Sequence, residues 1–387
     1  MEKWRSPVEG VVGNPNIFSG VYKGKRVLVT GHTGFKGSWL SLWLLELGAE
    51  VAGFSLYLPS QPCNFEALQL EKKIKHYRGD IRDLKELSAV FEQFRPEIVF
   101  HLAAQSIVRH SYDEPKVTFD TNLGGTVNIL ESIKNAPSVK AAVIITSDKC
   151  YENLSWEWGY RETDRLGGED PYSASKACAE IAARAYFSSY FSTPDAARVV
   201  TTRAGNVIGG GDWAKDRVVP DCVRAWSNNE EVIIRNPAAT RPWQHVFEPL
   251  SGYLWVGARL FTQPGGVSGE AFNFGPESDV VKSVEELTLF LSKFWGKGRW
   301  RHIPASGGKK ESTLLKLCCD KALTRLGWRP TLDFEQTLHL TAEWYKNYYG
   351  KGDSYNFSRS QIAWYVERAQ EKGVVWTGVK NEVGSKQ

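Results

Sequence analysis

The chain has 387 residues, 24% of them charged, with a formal net charge of +4 and no long run of one sign, a balance that offers no surface for nucleic acid. Residues 1–23 are polar, with Pro and Gly and no apolar stretch of signal-peptide length, and no segment reads as membrane-spanning, so a cytoplasmic protein is expected. Six cysteines, Cys63, Cys150, Cys178, Cys222, Cys318 and Cys319, lack paired metal spacing, which points to reduced thiols and no metal, and the length accommodates a full core in two domains.

The first element is an apolar strand at 25–30, followed by Gly31-x-x-Gly34-x-x-Gly37 and an apolar helix over 38–47 that Gly48 closes. Glycines at a strand-to-helix turn let the backbone approach a pyrophosphate, which then rests on the N–H groups of the helix start. The spacing here is three-three rather than the two-three of the dehydrogenase fingerprint. Strands at 50–55, 74–79, 97–103, 140–147 and 198–204 follow, with helices near 83–94, 115–135 and 171–190 between them. Such alternation predicts an α/β fold, a Rossmann-type doubly wound parallel sheet. Beyond Asn206 the rhythm breaks into glycine-rich loops and short helices, which suggests a smaller C-terminal substrate-binding domain assembled from several segments. The division expected is 20–205 plus 243–275 for the sheet domain and 206–242 plus 276–370 for the smaller one, with 1–19 and 371–387 as extensions.

Two constellations carry chemistry. The strand over 140–147 delivers Ser147, Asp148 and Lys149 to the C-terminal edge of the sheet, where ligands of such folds bind. Tyr172 and Lys176 lie one helical turn apart on one face, so an ammonium beside the phenol favours phenolate, a base for a sugar hydroxyl. His101 sits on an apolar strand and reads as a core residue.

The glycine turn, His101-Leu102-Ala103-Ala104-Gln105-Ser106, Ser147-Asp148-Lys149, Tyr172-x-x-x-Lys176, Asn206-Val207-Ile208-Gly209-Gly210-Gly211-Asp212-Trp213 and Arg241-Pro242-Trp243-Gln244-His245-Val246 together resemble the extended short-chain dehydrogenase/reductase family. Within it they look most like the CDP-glucose 4,6-dehydratase branch, over residues 24–344. The resemblance implies a nucleotide-sugar substrate, a homodimer or higher oligomer built on the helices at 115–135 and 171–190, and a place in deoxysugar synthesis for lipopolysaccharide O-antigen. It implies cofactor contacts from Gly31, Thr33, Gly34, Phe35, Lys36, Gly37, Ser55, Asp80, Ile81, Leu102, Ala103, Ala104, Gln105, Tyr172 and Lys176, with Asp80 at the adenine. No acid or Arg ends the second strand, so the residues themselves leave NAD and NADP open; a family reaction that regenerates its cofactor points to NAD.

For catalysis the resemblance implies that Ser147 bonds the 4-hydroxyl, Tyr172 deprotonates it, a protonated Asp148 is the acid for the departing 6-hydroxyl, and Lys149 or a water it orients is the base at C5. Substrate contacts are implied for Ser106, Asn206, Arg217, Val219, Arg241 and Glu311, with Asn206 and Arg241 on phosphate and Arg217 and Val219 beside the base. Cys318 stands where relatives carry Asp, which leaves the choice of base open between cytidine and thymidine. A nucleotide-sugar C4 epimerase shares Tyr172, Lys176 and the glycine turn but needs no acid and base to eliminate the 6-hydroxyl.

Overall fold

A computed structural model of the chain describes residues 16–277, 280–303 and 315–378. Its centre is a seven-stranded parallel sheet in the order β7-β6-β5-β4-β1-β2-β3. The strands are β1 (Arg26–Thr30), β2 (Glu50–Ser55), β3 (Lys75–Arg78), β4 (Ile98–His101), β5 (Ala141–Ile145), β6 (Arg198–Arg203) and β7 (Ala271–Asn273). Alternate residues feed the two faces: Val27, Val29, Ile98, Phe100, Ala141 and Val143 join one core, while Leu28, Val99, Ala142 and Ile144 join the other. A strand buried on both faces has no polar alternation, which is why β1, β4 and β5 read as apolar runs, whereas the edge strand β3 (Lys75–Arg78) is polar and partly exposed.

Helices cover both faces. α1 (Phe35–Glu46) sets Trp39 and Trp43 against Phe247 of α6 (Phe247–Thr262). On the opposite face lie α2 (Leu84–Phe94), which Asp83 caps by accepting from the N–H groups of Lys85 and Glu86, and α3 (Gly125–Lys134). The helix expected over 115–135 is three pieces, with a π turn at Asp120–Gly124 between Pro115–Phe119 and α3. α4 (Pro171–Tyr186) begins with Asp170 as N-cap and Pro171 in the first turn, and ends in a second π turn at Phe187–Phe191. α6 leads to β7, which pairs parallel with β6 at the edge of the sheet.

The remainder is built from α5 (Val218–Ser227), α7 (Val284–Trp295), α8 (Phe334–Tyr349), α9 (Ser354–Glu371) and three two-stranded pairings. Ile17, Phe18 and Trp376 are buried, with the Phe18 and Trp376 rings stacked at 4.8 Å, so the two ends of the described chain close the main core together. Among the described residues no helix is long and apolar enough to cross a membrane.

Candidate active site

Chain order reverses between β1 and β4, and the crevice this opens at the C-terminal ends of the strands holds both constellations. Gly31 follows β1 at a φ of +74°, where an added Cβ would stand 2.7 Å from the Ala103 nitrogen. At Gly37 a Cβ would stand 2.1 Å from the Gly31 carbonyl oxygen. The glycines thus let the turn fold onto the strand beside it. Gly34 opens α1 without a side-chain cap, so the N–H groups of Phe35, Lys36 and Gly37 face outward with no intrahelical acceptor. That is a cradle for a pyrophosphate, and it fits the dinucleotide the sequence implies.

The rest of the implied cofactor shell is mixed. Thr33 donates to the Tyr57 carbonyl at 2.9 Å, and the Ala103 N–H donates to Thr30 Oγ1 at 3.3 Å. Leu102 and Ala104 are half-buried on the same loop as Ala103. Ser55 shares a 3.0 Å hydrogen bond with His32, whose ring lies against Gly53 and which burial pushes down to about 3. Asp80 is engaged by Arg82 at 2.5 Å, which together with the Arg82 N–H holds its carboxyl below the usual range. Ile81 is buried against Gly125, and Gln105 spends its side chain on Ile107 and Thr118, so these two shape the crevice wall. His101 is the core residue its strand suggested, bonded to Thr30 and Thr126 and pushed by burial down to about 3.

Ser147, Asp148, Tyr172 and Lys176 are all buried and meet at the end of β5. Ser147 Oγ donates to Asp148 Oδ1 at 3.0 Å and accepts from the Lys149 N–H at 3.2 Å, and it lies beside the Tyr172 phenol. Asp148 lies flat on Gly205, where a Cβ would stand 2.2 Å from Oδ2. The expectation that Lys176 turns Tyr172 into a phenolate needs correcting. Burial pushes the Tyr172 phenol up to about 12, against the lowering effect of its bond to Ser147. Burial also brings the Lys176 ammonium down to about 8, and the negative charge it meets is that of Glu180. Lys36 reaches the same cluster, where burial lowers it to about 8 against the pull of Asp148, with Arg217 and Lys176 adding to the lowering.

Of the implied substrate residues, Arg217 bonds Asp212 at 2.7 Å and acts electrostatically on Tyr172, which places it at the site mouth. Asn206 holds a φ of +38° beside Gly205, Ser106 is exposed on the loop after β4, and Arg241 is half-buried next to Thr240. Val219 is 1% exposed, so its side chain belongs to the core and only its backbone can face a ligand. Glu311 lies outside the described residues. Cys318 donates its N–H to the Tyr160 carbonyl and accepts at its own carbonyl from Asn273, backbone bonds that any side chain at 318 would permit.

A second layer was not foreseen. Glu180 Oε1 accepts from Arg203 Nε at 2.9 Å and from Thr146, while Oε2 accepts from Thr201 at 2.7 Å and Arg203 Nη2 at 3.0 Å. Arg203 also donates to Tyr151, which donates to Asn273. The available signal was spacing, since Glu180 lies one turn beyond Lys176 on α4.

Comparison with known proteins agrees with this geometry. Residues 28–256 match the family model described as GDP-mannose 4,6 dehydratase. A CDP-glucose 4,6-dehydratase of Salmonella typhimurium is 47% identical over 349 residues, covering 89% of this chain and 97% of its own. A dTDP-D-glucose 4,6-dehydratase of Homo sapiens is 26% identical over 83% of this chain and 90% of its own. Among solved structures, a dTDP-glucose 4,6-dehydratase of Streptomyces venezuelae with NAD bound superposes with a TM-score of 0.71 at 27% identity, covering 84% of this chain and 98% of that one. A UDP-glucose 4-epimerase of Thermus thermophilus in complex with NAD gives the same TM-score at 26% identity, covering 83% and 99%.

Proposed function

The chain belongs to the GDP-mannose 4,6-dehydratase family of extended short-chain dehydrogenases/reductases, and from that we propose that it converts CDP-D-glucose to CDP-4-keto-6-deoxy-D-glucose. The 47% identity to a CDP-glucose 4,6-dehydratase along nearly the whole of both chains carries this reading. Dehydratases and epimerases share the fold, so the superpositions do not choose between them. Asp148 favours the dehydratase: an epimerase has no leaving hydroxyl, and here a buried carboxyl stands close enough to the Tyr172 phenol to act on it electrostatically.

The cofactor is NAD, which when bound supplies the acceptor and donor of the hydride. The chain's own residues do the rest. Tyr172 and Ser147 hold the 4-hydroxyl and take its proton; oxidation there acidifies the hydrogen at C5. Asp148 protonates the departing 6-hydroxyl and Lys149 removes the C5 hydrogen, while burial of Ser147, Asp148 and Tyr172 keeps water from the keto intermediate. Asn206 and Arg241 bind the diphosphate, and Arg217 lies toward the base. The sheet with segments 206–242 and 276–370 as a smaller substrate-binding domain completes this reading, as do a homodimer through the helices at 115–135 and 171–190, a cytoplasmic location and a role in O-antigen deoxysugar supply.

CDP-glucose deuterated at C4 tests the proposal directly. The label is expected at C6 of a 4-keto product without net reduced cofactor, and the rate is expected to fall steeply with dTDP-glucose, because a site that pairs one base edge leaves polar groups unmet by another. Equal rates with both would assign the chain to the thymidine branch. Stoichiometric reduced cofactor would make it a simple dehydrogenase. For Lys149→Ala, the expected result is accumulation of the keto-hexose and the reduced-nicotinamide absorbance, with the first oxidation near its parent rate. Loss of that first phase would instead make Lys149 a residue that positions substrate.

A further inference from the structure

The Gln244 amide is locked in one orientation. Gln244 belongs to the short parallel pairing of Gln244–His245 with Val207–Ile208 and is only 2% exposed. Its Nε2 has two hydrogens and donates both, to the Gly205 carbonyl at 3.0 Å and to the Phe274 carbonyl at 3.1 Å. Turning the amide over would set its oxygen against two carbonyl oxygens, so the network fixes which end is nitrogen. Oε1 is left as an acceptor that meets no donor among the described residues. A buried acceptor of this kind is costly unless something donates to it.

Gln244 shares a small cavity with Asp148, and theirs are the only polar side chains in its lining. Gly205, Pro242, Pro276 and Leu317 are among the other walls, and about 10 Å³ is left for the centre of a water molecule, room for one. Gly205 joins the two side chains. Its carbonyl accepts from Gln244, and Asp148 Oδ2 lies so close over it that a Cβ there would stand 2.2 Å from that oxygen. Asp148 Oδ1 is engaged by Ser147 at 3.0 Å. Two acceptors thus line one water-sized space, and a water has a hydrogen for each.

We infer that Gln244 positions a single water on Asp148, and that this water partners the carboxyl in both its forms as the 6-hydroxyl leaves. This rests on the dehydratase reading above. In the elimination the C5–H bond breaks, its proton going to a base and its electron pair forming the C5–C6 double bond. The C6–O pair leaves on the oxygen, which Asp148 protonates. Asp148 enters as acid and emerges as carboxylate. The acid can donate to the water, which donates in turn to Oε1; the carboxylate accepts from it. Without that donor the carboxylate forms in a closed site with one hydrogen bond fewer, and Asp148 gives up its proton less readily.

A crystal structure of the holoenzyme tests the site without any substitution. One water is expected within ~3.2 Å of both Gln244 Oε1 and an Asp148 oxygen. A cavity without water, a water that reaches only one of the two, or a protein donor on Oε1 overturns the inference. Gln244→Met, which keeps the length of the side chain and removes the acceptor, tests the role. In single turnovers of CDP-glucose by the holoenzyme, reduced nicotinamide should appear within a few fold of the parent rate and then decay ~10-fold more slowly, the scale of one hydrogen bond to a charged group. The alkaline limit of that decay should move up by ~1 pH unit, because the form of Asp148 that loses a donor is the charged one. Lys36 of α1, Cys150, Tyr172 of α4 and Tyr253 of α6 act electrostatically on Asp148 and are the same in parent and variant, so the moved limit reports the water. A Gln244 that is merely structural slows both phases alike and leaves the limit in place, which overturns the positioning role. A parent that forms no keto product from CDP-glucose sinks the dehydratase reading instead, and the crystal structure then decides the water by itself.

Discussion

Tyr172→Phe is expected to lower turnover by ~10²- to ~10⁴-fold, the range for loss of a positioned acid-base group, while the protein folds and binds nucleotide sugar nearly as before. The ring is buried at the start of α4, and Phe fills the same space. Only the hydroxyl is lost. It lies beside Ser147, which keeps Asp148 as acceptor and the Lys149 N–H as donor, so no buried polar atom of Ser147 is stranded. The stability cost should therefore stay near ~1 kcal/mol, a single net hydrogen bond. Rates measured with CDP-glucose, beside thermal melts and binding isotherms for the substrate, check both halves. Residual activity within a few fold of the parent would remove Tyr172 from the chemistry, and a collapsed melt would make its role structural.

The sheet was legible because its central strands are buried on both faces and bounded by turn residues. Glu50–Ser55 was located to the residue, and Arg26–Thr30 and Arg198–Arg203 to within one at either end. The π turns at Asp120–Gly124 and Phe187–Phe191 were not legible, since an extra backbone residue in a helix leaves no mark on composition. Ser147, Asp148, Tyr172 and Lys176 were found together because motif spacing fixes where the end of a strand and the first turn of a helix lie. Their charge states were not, because burial outweighs the pairing that spacing suggests: it moves Tyr172 up and Lys176 down. The inward turn of the Val219 side chain was likewise not legible, because position in a segment does not say which way a side chain faces.

The second large effect lies beneath the site. Glu180 and Arg203 are each only 4% exposed, and their pairing joins α4 to β6 directly behind Ser147 and Lys176. Burial by itself would raise the Glu180 carboxyl, but the Arg203 charge, aided by its hydrogen bonds and those of Thr146 and Thr201, holds it below the usual carboxylate range. Glu180→Ala strands a buried guanidinium, and the expected cost is ~3 to ~5 kcal/mol, a large part of the ~5 to ~15 kcal/mol that stabilises a typical fold. Urea midpoints at pH 7 for the parent, Glu180→Ala and the double change Glu180→Leu with Arg203→Met measure it; the double variant should recover most of the loss, because it buries no unpaired charge. The pH dependence has a fixed sign. A carboxyl whose folded-state pKa is depressed contributes stability above its unfolded value of ~4.3, and that contribution is lost as pH falls through the folded-state value. The gap between parent and Glu180→Ala should accordingly narrow in acid and stay constant from pH 6 to 8 as far as this group is concerned. A gap under ~1 kcal/mol at pH 7 would mean that the pair merely offsets its own desolvation. Activity should fall with stability even where the variant stays folded, since Thr146, the residue before Ser147, loses its Glu180 acceptor and Lys176 loses the negative charge that sustains its own positive one.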